Sequence, residues 1–137
     1  MATLSKEAKL AQPSPPAAES REPPPFDYAA AIARLGNDTN LFDDMAGFFR
    51  SDSPELLQRI RAAIDASDAN EVLRAAHSLK GLAATFDAKA AVAAALHVEE
   101  LGRSGQVAES ESAVAVLQFE VQRLAQALAD FRSHARP

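Results

Sequence analysis

Proline placement constrains this chain more than any other feature. Six of the eight prolines fall between residues 13 and 25, within AQPSPPAAESREPPP, and from residue 26 onward only Pro54 and the terminal Pro137 remain. Proline lacks a backbone N–H and clashes with the preceding helical turn. Residues 1–25 therefore read as a Pro-rich leader or linker, in which three acidic and three basic residues cancel to leave a neutral, semi-extended spacer. Residues 26–132 read as one helical domain, and residues 133–137 as a flexible C-terminal tail.

Within the domain, apolar residues recur at three- and four-residue intervals, the period of amphipathic helices. Asp27 can cap a short helix carrying Tyr28, Ile32 and Leu35, with Gly36 ending it. Asp38 or Thr39 starts a second helix, on which Leu41, Phe42, Met45, Phe48 and Phe49 form one face, and one of the two adjacent phenylalanines is open to exposure. Ser53 as N-cap and Pro54 in the first helical position predict a break and a new helix carrying Leu56, Leu57, Ile60 and Ile64. Asp68 and Glu71 resemble a capping box for a helix over 69–86, and Asp87 is expected to break that helix and cap the next. The alanine-rich segment 88–103 leaves its buried face unassigned. Gly102 and Gly105 mark a turn, after which Val114, Leu117, Val121, Leu124, Leu128 and Phe131 form a long seam. Short connections favour antiparallel neighbours, so the fold class is all-α: an up-down-up-down four-helix bundle over 53–132, with one or two additional N-terminal helices.

Several function classes fall away on composition. With no cysteine there is neither a thiolate nucleophile nor a disulfide framework, and the cytoplasm is the default compartment. A net charge of -5 and the lack of a basic stripe argue against nucleic-acid binding. No apolar run approaches the ~20 residues needed to span a bilayer. His97 and Glu100 share an i, i+3 spacing, but no matching pairs complete a metal site, so both are read as surface. His134, between Arg132 and Arg136, is read as part of a solvated terminus.

On the helix over 69–86, Val72, Ala75, Ala76, Leu79, Leu82, Ala83 and Phe86 cluster on one side and His77 lies well off it. Helical side chains lean toward the N-terminus, so the residue at i+4 normally covers the residue at i. Here that residue is Gly81, which uncovers the ring although a mid-helix glycine costs about 1 kcal/mol relative to alanine. Lys80 sets a cation one turn away, able to screen a phosphoryl group. Histidine suits such a task because its unperturbed pKa of ~6.5 leaves a neutral nitrogen nucleophile abundant near pH 7. Leu73, Arg74 and Ala84 flank the site and are candidates for partner docking.

The stretch RAAHSLKGLAATFDA, residues 74–88, resembles the signature helix of the histidine-containing phosphotransfer family, His-x-Leu-Lys-Gly followed by small residues. His77, Leu79, Lys80 and Gly81 match that pattern, as do Ala76, Ala83, Ala84 and Phe86, and the likeness extends from the aromatic-rich helix at 41–49 to VEELGRSGQ at 98–106. Two positions depart from it: Leu82 stands where a small residue is common, and Asp87 where glycine usually ends the helix. The resemblance implies a phosphorelay intermediate without autonomous catalysis. His77 would take a phosphoryl group from the aspartyl phosphate of a receiver domain, or from a sensor kinase, and pass it to a response-regulator aspartate. It further implies that this chain binds no cofactor, that Mg²⁺ sits on the receiver, and that the domain works as a monomer. Two rivals of different kind are a helical adaptor that is never phosphorylated and the severed phosphodonor domain of a chemotaxis-type kinase.

Overall fold

The computed structural model describes residues 24–135, with side chains through Phe131. The leader thus lies almost wholly outside the described residues, as does the His134 side chain. Five α-helices follow in order, α1 Tyr28–Arg34, α2 Thr39–Asp65, α3 Ala69–Ala84, α4 Lys89–Arg103 and α5 Glu111–Ala135, with a 3₁₀ turn at Val107–Glu109 and no strand among the described residues. Helices α2 to α5 form the antiparallel bundle, each packed on the next and α5 closing against α2.

Local signals start and stop most helices where expected. Asp27, Asp38 and Asp68 accept from the backbone N–H of Ala30, Leu41 and Glu71 at 3.1, 3.0 and 3.1 Å, each satisfying an N–H that the first turn leaves without a partner. The Glu71 carboxylate does not complete a capping box, because the Asp68 N–H it would accept from goes to the Ala63 carbonyl, while Glu71 pairs with Arg59. Four connections close alike. The N–H groups of Asn37, Asp68, Ala88 and Gln106 bond the carbonyls of Ile32, Ala63, Ala83 and Leu101 at 2.8, 2.8, 3.3 and 2.8 Å. The residue before each, Gly36, Ser67, Asp87 and Gly105, has a positive φ.

Asp87 corrects one expectation. At φ 54° it occupies the left-handed position that glycine usually fills, and it caps nothing. Its carboxylate instead accepts from Lys89 Nζ and Arg34 Nη2, both at 3.1 Å, and those two bonds, Lys89's first, hold it below the usual carboxylate range. The second correction concerns Pro54, which lies inside a continuous α2. Its ring faces solvent, while Phe42, Ala46, Phe49, Ser53, Leu56, Leu57, Ile60 and Ala63 make one unbroken buried stripe on either side of it. Burial of that stripe outweighs the single N–H that proline withholds. Ser53 is accordingly a core residue, and one additional N-terminal helix is present. The buried face centres on Phe42 and Phe49, with Leu41 and Phe48 on its exposed edge.

Gly102 gives the third correction. It lies within α4, and a Cβ added there would come 2.8 Å from the Leu73 nitrogen and 3.1 Å from the Ala69 carbonyl oxygen of α3. The glycine permits contact of the two backbones, and only Gly105 makes the turn. The alanine-rich face of α4, Ala91, Ala94, Ala95 and Val98, serves the same close approach. At the opposite end of α3, α1 straps the bundle shut. Arg34 Nη1 donates to the Ala84 carbonyl at 2.8 Å, the Asp27 N–H bonds the Phe86 carbonyl at 3.1 Å, and Phe26, Tyr28, Phe42, Phe86 and Phe131 pack ring to ring.

Candidate functional site

His77 projects from α3 with its side chain 67% exposed, as its position off the buried face of Val72, Ala75, Ala76, Leu79 and Ala83 requires. Beneath it lies Glu99 of α4, only 3% exposed. Glu99 Oε2 accepts from His77 Nδ1 at 3.1 Å and from Arg103 Nη2 at 3.0 Å, while Lys80 Nζ stands 2.7 Å from Oε1 as an ion pair outside regular hydrogen-bond geometry. Burial, the largest single influence, raises the Glu99 pKa. Lys80, His77 and Arg103 together outweigh it, and the net shift is downward.

An ionised carboxylate can only accept, so in the neutral form of the ring it is Nδ1 that carries the proton. Nε2 then holds the lone pair, and nothing among the described residues bonds to it. The ring is thus fixed in one tautomer and turned with its basic nitrogen outward. A Cβ at Gly81 would meet nothing within 4 Å, and Gly81 has no positive φ, so neither packing nor backbone strain calls for glycine there. The space beside α3 at this position is open.

A shallow groove beside His77 is lined by Arg59, Leu73, Arg74, His77, Ser78, Glu99 and Arg103. It brings Leu73 and Arg74 together with the histidine as expected, whereas Ala84, exposed at the end of α3, lies outside it beside α1. Arg59 and Arg74 both approach Glu71, at 2.7 and 3.9 Å. Lys80 sits less openly than a free screening cation would, at 26% exposure against 56% for Arg103. His97 and Glu100 are exposed, and no group of three His, Cys, Asp or Glu among the described residues could hold a metal. No described helix is long and apolar enough to cross a membrane.

Motif and period alone do not single out Glu99 and Arg103. A signal existed: Glu99 is the one carboxylate on the otherwise small and apolar stripe Ala91, Ala94, Ala95, Val98, Gly102. It becomes visible only once the rotation of α4 against α3 is known, and Arg103 follows from it at i+4.

The Hpt domain family model matches residues 44–131, and the chain belongs to that family of phosphorelay histidine-phosphotransfer modules, which in general are not autonomous enzymes. The fold is similar to that of histidine-containing phosphotransfer protein B of Pseudomonas aeruginosa PAO1. The TM-score is 0.75 at 21% identity, over 82% of this chain and 98% of that one. It also resembles the HPT domain of an Hpt sensor hybrid histidine kinase from Shewanella, with a TM-score of 0.71 at 18% identity, over 82% and 97% of the two chains. No curated protein matches the sequence significantly.

Proposed function

We propose that His77 is the phosphoacceptor, taking a phosphoryl group from the aspartyl phosphate of a receiver domain and giving it to a second receiver aspartate. The observation that carries this reading is the Glu99 contact, which commits Nδ1 and leaves Nε2 as an exposed nucleophile. In the forward step the Nε2 lone pair forms the N–P bond, and the P–O bond to the partner's aspartate breaks, its electron pair leaving with the carboxylate. The Nδ1 proton stays in place, so the ring becomes an imidazolium facing the Glu99 carboxylate, and the reverse step restores the neutral ring.

No general base is required of this chain, because the nucleophilic nitrogen is already unprotonated in that tautomer. Mg²⁺ belongs to the receiver and supplies charge neutralisation at the phosphoryl oxygens. Leu73 and Arg74 meet the partner beside the ring, Gly81 leaves its approach open, and the exposed Ala84, outside the groove, extends the docking face toward the C-terminal end of α3. Residues 1–25 serve as a spacer.

The test is incubation with a phosphorylated receiver and Mg²⁺. Acid-labile, base-stable label should form on the wild-type domain and not on His77→Gln, and an unlabelled wild type would refute the reading.

A further inference from the structure

Glu99 holds three cationic or donor groups, and its two oxygens hold them unequally. Oε2 is shared by His77 Nδ1 at 3.1 Å and Arg103 Nη2 at 3.0 Å, whereas among the described residues Lys80 alone stands at Oε1, at 2.7 Å. We infer that Arg103, rather than Lys80, is the cation that turns to the phosphoryl group on His77. The inference rests on the phosphotransfer reading and assigns a contact residue within that site.

Two costs separate the candidates. If Lys80 swings away, Oε1 of a carboxylate only 3% exposed loses its only partner, the situation that makes breaking a buried ion pair strongly unfavourable. If Arg103 swings away, Oε2 keeps the His77 N–H, and that bond strengthens as the phosphorylated ring gains positive charge. Side-chain chemistry points the same way. A guanidinium has five donors in a planar fork, so one N–H can stay near Glu99 while others meet phosphoryl oxygens, and an ammonium is a compact point charge. Arg103 also starts within reach: sharing one oxygen with Nδ1 at 3.0 and 3.1 Å puts Nη2 no more than about 6 Å from the ring. At 56% exposure it lines the groove from which a partner would approach, while Lys80 at 26% lies deeper and is not among the groove's lining residues. Lys80 is then a positioning residue, holding Glu99 and through it the tautomer of His77.

The test uses the intact domain phosphorylated by phosphoramidate, a small-molecule donor that needs no receiver, with ¹⁵N side-chain NMR of the arginine and lysine signals. On phosphorylation the Arg103 guanidinium resonances should shift and slow their exchange, while the Lys80 ammonium stays as it was. Arg103→Ala should fold normally, lower the rate of labelling by about tenfold or more, and shorten the phosphohistidine lifetime, with Arg103→Lys between it and wild type. Lys80→Ala, if folded, should disturb the His77 tautomer before any phosphate is added. A shift confined to Lys80, or Arg103→Ala labelling at the wild-type rate, would overturn the inference while leaving the acceptor role of His77 intact. An unlabelled His77 would overturn both.

Discussion

The two ends of α3 are built on opposite principles. At its C-terminal end Phe26, Tyr28, Phe42, Phe86 and Phe131 pack ring to ring, some pairs edge to face and others tilted, with centroids 4.7–6.5 Å apart. Phe42 and Phe86 there are each 1% exposed. Further back along the helix, around His77, the contact between α3 and α4 is made by a glycine, alanines and one buried carboxylate with its cations. Large rings bury area and contribute stability without direction. The carboxylate contributes little net stability for its desolvation, but it fixes which histidine nitrogen is free. Stability and chemistry are thereby placed in separate stretches of one helix.

Substitutions in each stretch of the helix test that separation. The largest effect should come from Phe42→Ala, a loss of about 3–5 kcal/mol by chemical denaturation. Label transfer by the fraction that remains folded should be unchanged, and a slowed transfer would mean that the two ends are coupled. Gly102→Ala comes next. Its Cβ would meet the Leu73 nitrogen at 2.8 Å, so α3 and α4 must part, costing about 1–3 kcal/mol and slowing transfer as well.

Gly81→Leu probes the stretch of α3 that carries His77. A Cβ there meets nothing, so stability should hold or rise by up to about 1 kcal/mol while receiver-dependent labelling falls at least about tenfold. Unchanged labelling would remove the access argument. The smallest effect is in pH dependence. The folded-state pKa of Glu99 is lowered, so its contribution is complete above the unfolded value near 4.5 and is lost as pH falls through the lower folded value. Glu99→Gln should therefore lose part of the acid limb of the stability curve, measured by thermal melts between pH 3 and 7. An identical acid limb would show that Glu99 is not held ionised.

Much of this architecture was legible where local chemistry decides it. The caps at Asp27, Asp38 and Asp68, the left-handed Gly36, the seam from Val114 to Leu128 and the exposure of His77 follow from propensity and period alone. Non-local packing decided the rest. Ser53 and Pro54 carry every mark of a helix start, yet α2 runs through them because its buried stripe continues on both sides. Asp87 adopts the backbone of the glycine it replaces while its carboxylate joins Lys89 and Arg34. Glu99 acquires meaning only from the rotation of α4, which a run of alanines does not specify.

Because Glu99 occupies Nδ1, the phosphoryl group is expected on Nε2 of His77. ¹H–¹⁵N–³¹P NMR of the receiver-phosphorylated domain reads this directly. Phosphorus should be coupled to Nε2 of His77, with the Nδ1 proton retained and hydrogen-bonded. Phosphorus on Nδ1, or on any other residue, would contradict it.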